Sequence, residues 1–350
     1  MSPTKINRQP SPETTIESRR TEYLREWRPG ATLGRGGTAR CVLMVREAVA
    51  KIISQQYDEH SRPLTPHEFT VGRLLKRDDH NHADLIVDMF EWYPDTPSPG
   101  ECTILMPRAT GDLHRWIRER CQDPNGTART PDEGLLRHIF LDLAKAVAFM
   151  HSRSELRPSI VHRDIKPGNV LVFTDPDSPD LPTLRLADLG SAREVGASRS
   201  SDGEDEGSSD GKNEGSIFTP GYTPPEFEDG EDWATSCDVF SLGATIHYCV
   251  FRRTPYIGLG DTVAGLPDHH TEDPVLEPVS LRGRSWHEDS DGPMLPFSNG
   301  LADILASTLD RDPDRRPSAA SLIRLLGELR PIRSRRVVTS EQVEFEPEWV

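Results

Sequence analysis

Apolar residues along this chain recur with two different periods, and the switch between them restricts the fold more than any other feature. From Thr32 to Ile53 the sequence is rich in Gly, Val and Ile in short apolar runs, a pattern that predicts strands joined by tight turns. From Leu136 onward the spacing becomes helical. Ile139, Leu143, Val147 and Met150 fall on one face of a helix, and Val239, Leu242, Ile246 and Val250 repeat the pattern. An α+β chain follows, with a strand-rich small lobe ahead of a helix-rich large lobe. The most apolar stretch, Val239 to Phe251, contains His247 and is too short to span a bilayer, so it predicts a buried helix.

Several stretches depart from this plan. Residues 1–24 and 334–350 lack sustained periodicity and read as tails, the first disordered. Thr174 to Thr183 has the Asp and Pro content of a hairpin. Ser198 to Glu214 carries six acidic residues among Ser and Gly with no apolar anchor, which predicts a flexible acidic insert. Tyr256 to Pro293 is Pro- and Gly-rich and predicts loops with a short helix.

Charge and cysteine content exclude several classes. A formal charge of -16 opposes a general nucleic-acid or anionic-membrane surface, because both need basic patches. The five cysteines form no Cys-x-x-Cys pair, so neither a zinc site nor a disulfide framework is expected. The opening residues mix Pro, Ser, Thr and charges without an apolar core, unlike a secretory signal or a membrane anchor. The expectation is an intracellular protein, cytoplasmic or nuclear, with no membrane span.

Candidate chemistry centres on His162-Arg163-Asp164-Ile165-Lys166-Pro167-Gly168-Asn169, which runs into the apolar Val170-Leu171-Val172. A carboxylate, an ammonium and an amide at these offsets suit phosphoryl transfer. Asp164 can accept the proton of an attacking hydroxyl, Lys166 can neutralise charge on the transferring group, and Asn169 can hold a metal ion. The string resembles the eukaryotic protein-kinase family, its serine/threonine branch in particular.

The resemblance implies a two-lobed protein-kinase-like fold over residues 25–333. Its small antiparallel sheet lobe, with one main helix, would cover about 25–108, and its larger, mainly helical lobe about 109–333. It extends in order to other motifs. Leu33-Gly34-Arg35-Gly36-Gly37-Thr38-Ala39-Arg40-Cys41 resembles the glycine-rich phosphate loop, although alone it is also a simple hairpin turn. Ala39 stands where the family has its third glycine. Ala48-Val49-Ala50-Lys51 resembles the strand bearing the phosphate-binding lysine, and a lysine in an apolar strand needs an anionic partner unless it reaches solvent from an edge. Glu68 has two readings. It can pair with Lys51, or it can close a capping box in Thr65-Pro66-His67-Glu68.

Leu186-Ala187-Asp188-Leu189-Gly190 stands where the family keeps its metal motif, which implies that Asp188 and Asn169 bind Mg2+. Taken alone, Asp-x-Gly is mostly turn chemistry. Thr219 to Glu226 resembles the end of the activation segment, with Glu226 expected to pair with an arginine of Asp312 to Pro317, Arg316 in particular. Asp238 matches the acid that anchors the catalytic loop, and is also an ordinary acid of a helix N-terminus. An ATP site is implied at Leu33, Gly34, Arg35, Gly36, Gly37, Cys41, Ala50, Lys51, Met106, Arg108 and Leu171. Counting back from Gly111 puts the gatekeeper near Leu105 and a hinge at Met106 to Arg108, where Pro107 has no amide hydrogen to donate.

The expected function is a serine/threonine protein kinase that uses Mg-ATP, with Asp164, Lys166, Asn169, Lys51 and Glu68 catalytic and protein hydroxyls as acceptors. The alternative is a pseudokinase-like signalling scaffold. Arg163 before the catalytic Asp implies control by an upstream kinase near Ser216, for which the acidic run is either a substitute or a solvated linker.

Overall fold

A computed structural model describes residues 28–35, 40–45, 47–77, 82–122, 130–175, 178–195, 219–228, 234–255 and 297–329. Of 28–35, 40–45, 175 and 178–180 only the backbone is described. The tails 1–24 and 334–350, the glycines Gly36 and Gly37, Ala39, the acidic insert 198–214, Ser216 and the 256–293 stretch lie outside the described residues.

The chain divides into two compact units. The first takes the chain up to Arg73 together with Val87–Ala109, and the second takes Leu74–Ile86 and everything from Thr110 onward.

In the first unit, β1 (Arg28–Arg35) and β2 (Arg40–Val45) form an antiparallel pair in which Gly34 lies opposite Cys41. A second sheet has the order β3-β5-β4, from β3 (Ala48–Ser54), β4 (Glu91–Pro94) and β5 (Glu101–Pro107), all antiparallel. Successive side chains of a strand face opposite ways and paired residues face the same way. Lys51 therefore shares a face with Val49, Ile104 and Met106, whereas Ala50 shares the other with Leu105. On the Lys51 face Cys102 and Ile104 are fully buried and Val49 is part-exposed, whereas on the other face Ile52 and Tyr93 are about half exposed and Thr103 is buried. Helix α1 (His67–Leu75) begins in this unit and buries Glu68 and Val71.

The second unit is organised around two long helices. Helix α2 (Leu113–Arg120) precedes α3 (Glu133–His151), and α4 (Pro225–Glu228) precedes α5 (Thr235–Phe251). The ends are closed by α6 (Asn299–Thr308) and α7 (Ala319–Glu328). Side-chain oxygens of Asp112, Asp132, Ser298 and Ser318 cap α2, α3, α6 and α7, so the sequence specifies these starts locally. Helix α5 is buried nearly all round, as its composition requires. It packs on α3, which also contacts α7.

Short strands carry the loops that matter. β6 (Gly111–Asp112), β8 (Val170–Asp175) and β9 (Ser178–Leu186) form one sheet in the order β6-β8-β9. β7 (Ile160–Val161) pairs with β10 (Arg193–Glu194). The stretch read as a hairpin from its turn residues is the β8–β9 connection, with Asp175 opposite Ser178. Leu74–Ile86 joins this unit through a parallel bridge from Ile86 to Leu186.

Candidate active site

The loop between β7 and β8 is held open by one buried carboxylate. Asp238, in the first turn of α5, is about 1% exposed. Its Oδ2 accepts from the His162 amide at 2.7 Å and its Oδ1 from the Arg163 amide at 2.9 Å. His151 Nε2 adds a third bond to Oδ2 at 2.8 Å. Burial opposes the charge on Asp238, but the hydrogen bond and charge of His151 and the His162 contacts hold its carboxyl below the usual range. The expected macrodipole acid of this helix is thus also the clamp on the loop backbone. Arg163 adopts φ 72, a left-handed conformation that a non-glycine residue enters only when its surroundings impose it.

His162 completes the frame. Its ring is fully buried, with Nε2 3.0 Å from the Ala187 carbonyl and Nδ1 accepting the Asp164 amide at 3.3 Å. A carbonyl can only accept, so the proton sits on Nε2 and the ring is neutral. Burial lowers the His162 pKa in the same sense.

Asp164 stands at the centre of the cluster that this frame presents. Oδ2 accepts from Lys166 Nζ at 2.7 Å and from Asn169 Nδ2 at 2.8 Å, and Oδ1 accepts from the Thr219 hydroxyl at 2.9 Å. Lys166 Nζ also donates to Thr219 Oγ1 at 2.7 Å. Lys166, 27% exposed, is the more open partner of Asp164, 11% exposed. The carboxylate is oriented by three side chains and keeps the lone pairs needed to accept a proton. The tie from Thr219 crosses 55 residues, and no spacing rule in the sequence announces it.

Asn169 and Asp188 are linked through the backbone, because Ala187, next to Asp188, donates its amide to the Asn169 carbonyl at 2.8 Å. The Asn169 side-chain nitrogen is committed to Asp164, by bonds to both its backbone oxygen and its carboxylate. Its amide oxygen is then the group left for a cation. Asp188 adopts φ 64 and ψ 67, and a Cβ on Gly190 would lie only 3.7 Å from its Oδ1. Leu189 is fully buried, as the packing residue after this Asp should be. An amide oxygen and a carboxylate are the hard donors that Mg2+ takes alongside substrate phosphates, so these residues fit that ion.

In the first unit, Lys51 Nζ donates to Glu68 Oε2 at 2.6 Å. Glu68 is 4% exposed and Lys51 31%. The carboxylate that also fitted a capping box is an ion-pair partner. Burial and then the Glu68 charge push the nearby Cys102 thiol up. Of the other residues expected to bind ATP, Leu33, Gly34 and Arg35 lie in β1 and Cys41 in β2. Met106 is in β5 opposite Val49, and the Arg108 side chain pairs with Glu47 at 2.8 Å. Ala50 faces away from the Lys51 side, so strand alternation separates two residues that the sequence reading grouped. Val49, which that reading passed over, is on the Lys51 side, and alternation alone could have found it. Leu171, in β8, faces opposite to the buried Val170 and Val172.

The end of the activation-type segment is anchored as its acid suggested. Arg316 donates to both Glu226 oxygens, at 2.5 and 2.7 Å. Cys237, whose thiol burial pushes up to about 12, stays protonated and donates to Glu226 Oε1 at 3.4 Å.

A strand-rich unit, a helix-rich unit and a loop centred on a clamped carboxylate define a protein-kinase-like fold. Residues 27–325 match the model described as protein kinase domain, and the chain belongs to that family. Human rhodopsin kinase GRK1 is 31% identical over 157 residues, 45% of this chain and 22% of that protein. Mouse ribosomal protein S6 kinase alpha-2 is 24% identical over 221 residues, 61% of this chain and 24% of that protein. The Caenorhabditis elegans protein described as "Probable serine/threonine-protein kinase zyg-1" is 30% identical over 227 residues, 64% of this chain and 27% of that protein. The chain thus spans about a quarter of the length of these relatives. Among the described residues no helix is long and apolar enough to cross a membrane.

Proposed function

We propose that this chain is a serine/threonine protein kinase that transfers the γ-phosphate of ATP to hydroxyls of protein substrates. The observation that carries the reading is the Asp164 cluster, in which Lys166, Asn169 and Thr219 converge on one carboxylate. Asp164 takes the proton of the acceptor hydroxyl as it attacks. Lys166 sits beside that carboxylate and offsets negative charge on the group being transferred. Lys51, fixed by Glu68, holds the α- and β-phosphates of the donor, with Val49 and Met106 on the same face of the sheet. Asn169 Oδ1 and the Asp188 carboxylate would hold Mg2+. When bound, it would supply positive charge that offsets the charge of the donor phosphates.

The reading also carries partner and location. Lys166 with Thr219 favours Ser or Thr acceptors over Tyr, and Arg163 before Asp164 favours an upstream kinase acting near Ser216. An intracellular, cytoplasmic or nuclear setting accords with an ATP-dependent reaction and with the free, buried Cys102, Cys121, Cys237 and Cys249.

The test is transfer of labelled γ-phosphate to a panel of Ser/Thr peptides by the full chain, compared with Asp164→Asn and Asp188→Ala. Loss of a general base costs about 10²- to 10⁴-fold, so Asp164→Asn should fall by that range. Equal incorporation by all three proteins would overturn the proposal, and absence of transfer by the unsubstituted chain would favour the scaffold reading.

A further inference from the structure

The chain carries a formal charge of -16, yet arginines gather where the ends of α2 and α5 meet. Helix α2 holds three in eight residues, Arg115, Arg118 and Arg120, and its one acid, Glu119, pairs with Arg115 at 2.6 Å. Arg252 caps α5 in a left-handed conformation. Its guanidinium donates to the Ile117 carbonyl of α2 at 3.3 Å and to the Tyr248 and Cys249 carbonyls of α5, so it fastens the two helix ends together. Beside this junction the rings of His114 and Tyr248 stack with centroids 5.2 Å apart. Burial raises the Tyr248 pKa, and the charges of Arg252 and Arg118 oppose that rise, which puts both guanidiniums within electrostatic reach of its hydroxyl. Arg118 and Arg253 are exposed.

A helix C-terminus favours a cation wherever it lies, so the macrodipole explains the charge but not its neighbours. The junction adjoins the acceptor side of the Asp164 cluster. Thr219, whose hydroxyl donates to Asp164, accepts the Tyr222 amide at its carbonyl at 3.1 Å. The Tyr222 carbonyl takes the Ser241 hydroxyl of α5 at 2.8 Å, and a Cβ on Gly221 would lie only 2.7 Å from Thr254. Burial raises the Tyr222 pKa and the Tyr248 hydroxyl raises it further, so the two phenols lie near each other. Residues 219–222 turn within about 7 Å, and extended peptide advances about 3.3 Å per residue. A peptide with its hydroxyl at Asp164 therefore reaches the arginines within about five residues. A guanidinium fork there matches a carboxylate through two parallel hydrogen bonds.

We infer that Arg118, Arg252 and Tyr248 form a subsite for an acidic side chain, so that this chain selects protein substrates with Asp or Glu within about five residues of the acceptor hydroxyl. The inference rests on the kinase reading for its part in transfer and on the charge of the surface for binding. Asp112 also acts on the Tyr248 hydroxyl, less than the two arginines, and its Oδ1 accepts the Arg115 amide at 2.8 Å. A site ruled by Asp112 would prefer a basic side chain instead.

The experiment measures labelled γ-phosphate transfer by the full chain to peptides with one Ser and with Asp, Asn or Lys at each nearby position in turn. At the best position kcat/KM for the Asp peptide should exceed that for the Asn peptide by about 5- to 20-fold. Arg118→Glu should bring that ratio to about one or below, because a like charge replaces the partner. Arg324→Gln, an exposed arginine of α7 paired with Glu328, should leave the ratio unchanged. Equal rates for Asp and Asn at every position, a preference for Lys, or a ratio unmoved by Arg118→Glu would overturn the proposal. If Arg118→Glu does not fold, Arg118→Gln decides by the same ratio. In parallel, fluorescence anisotropy without ATP compares an Asp-rich peptide having Ala in place of Ser with its Asn-rich counterpart. Tighter binding of the Asp-rich peptide, lost in Arg118→Glu, would keep the acidic subsite and reject the kinase reading if the unsubstituted chain transfers no phosphate. Equal affinities would overturn the subsite whether or not transfer is seen.

Discussion

Arg316 and Glu226, ninety residues apart, form a two-pronged ion pair with both side chains almost wholly removed from solvent. The guanidinium also donates to the Asp310 and Ser236 carbonyls, at 2.7 and 3.2 Å, and lies over the Phe240 ring. This planar fork joins the end of the activation-type segment to α5 and to the turn before α7. Removing one member leaves a buried charge unpaired, so Glu226→Ala should destabilise the chain by about 3–5 kcal/mol in urea unfolding. Arg316→Lys keeps the charge but not the fork, and a loss of about 1–3 kcal/mol is expected.

Glu68→Gln separates the two jobs open to that residue. A glutamine serves a capping box as well as a glutamate does. It cannot supply the charge that holds Lys51. The expected outcome is a fall in kcat/KM for ATP of roughly 10- to 100-fold, since Lys51 loses its fixed position. Unfolding stability should stay within about 1 kcal/mol, because Lys51 is part-exposed and can be hydrated. Retained activity would return Glu68 to the role of a cap.

The histidine buried in α5 predicts acid sensitivity. His247 is about 1% exposed, its Nδ1 is 3.0 Å from the Arg253 carbonyl, and burial lowers its pKa to about 4. The unfolded chain binds the proton near the ordinary value of about 6.5, so between those values it holds more protons than the folded one. Stability is therefore fully present above pH of about 6.5 and declines as pH falls toward 4, by about 3 kcal/mol in total at order-of-magnitude precision. His162, also lowered by burial, acts in the same direction. Urea unfolding at several pH values should show the decline, and His247→Leu should flatten part of it.

Gly243 of α5 lies against Thr308 and Leu309 at the end of α6. A Cβ there would meet Thr308 Oγ1 well inside contact distance, Thr308 Cβ at 2.9 Å and Leu309 Cδ2 at 3.1 Å. Gly243→Ala should cost about 1–3 kcal/mol through overpacking. Adding Thr308→Ala removes the worst contact, so the double variant should be more stable than the sum of the two single losses.

Ser216→Ala tests the regulatory reading that Arg163 motivates. The expected outcome is lower activity in the variant and phosphate on the Ser216 peptide of the unsubstituted protein by mass spectrometry. Unchanged activity with an unmodified segment would remove Ser216 from consideration.

Local signals carried much of the fold. Ile139, Leu143, Val147 and Met150 identify α3 because a helix needs one apolar face, and all four are buried as the helix docks. Asp112, Asp132, Ser298 and Ser318 mark helix starts because capping is a short-range bond. Pairings across long separations were legible only where a motif stood at both ends, as with Glu226 and Arg316. Where a single residue had two local uses, as Glu68 and Asp238 did, spacing left both open, since it does not say which distant group will arrive.

The sequence by itself determined the order of strands and helices, the polar residues of the His162 to Asn169 loop and the acid and base types needed for phosphoryl transfer, because these depend on residue identity and near-neighbour spacing. Only the tertiary structure decided that Glu68 meets Lys51, that Thr219 joins Asp164 and Lys166, and that His151 backs Asp238. Each of these turns on the direction of a side chain brought from far along the chain, and direction is set by packing, not by composition.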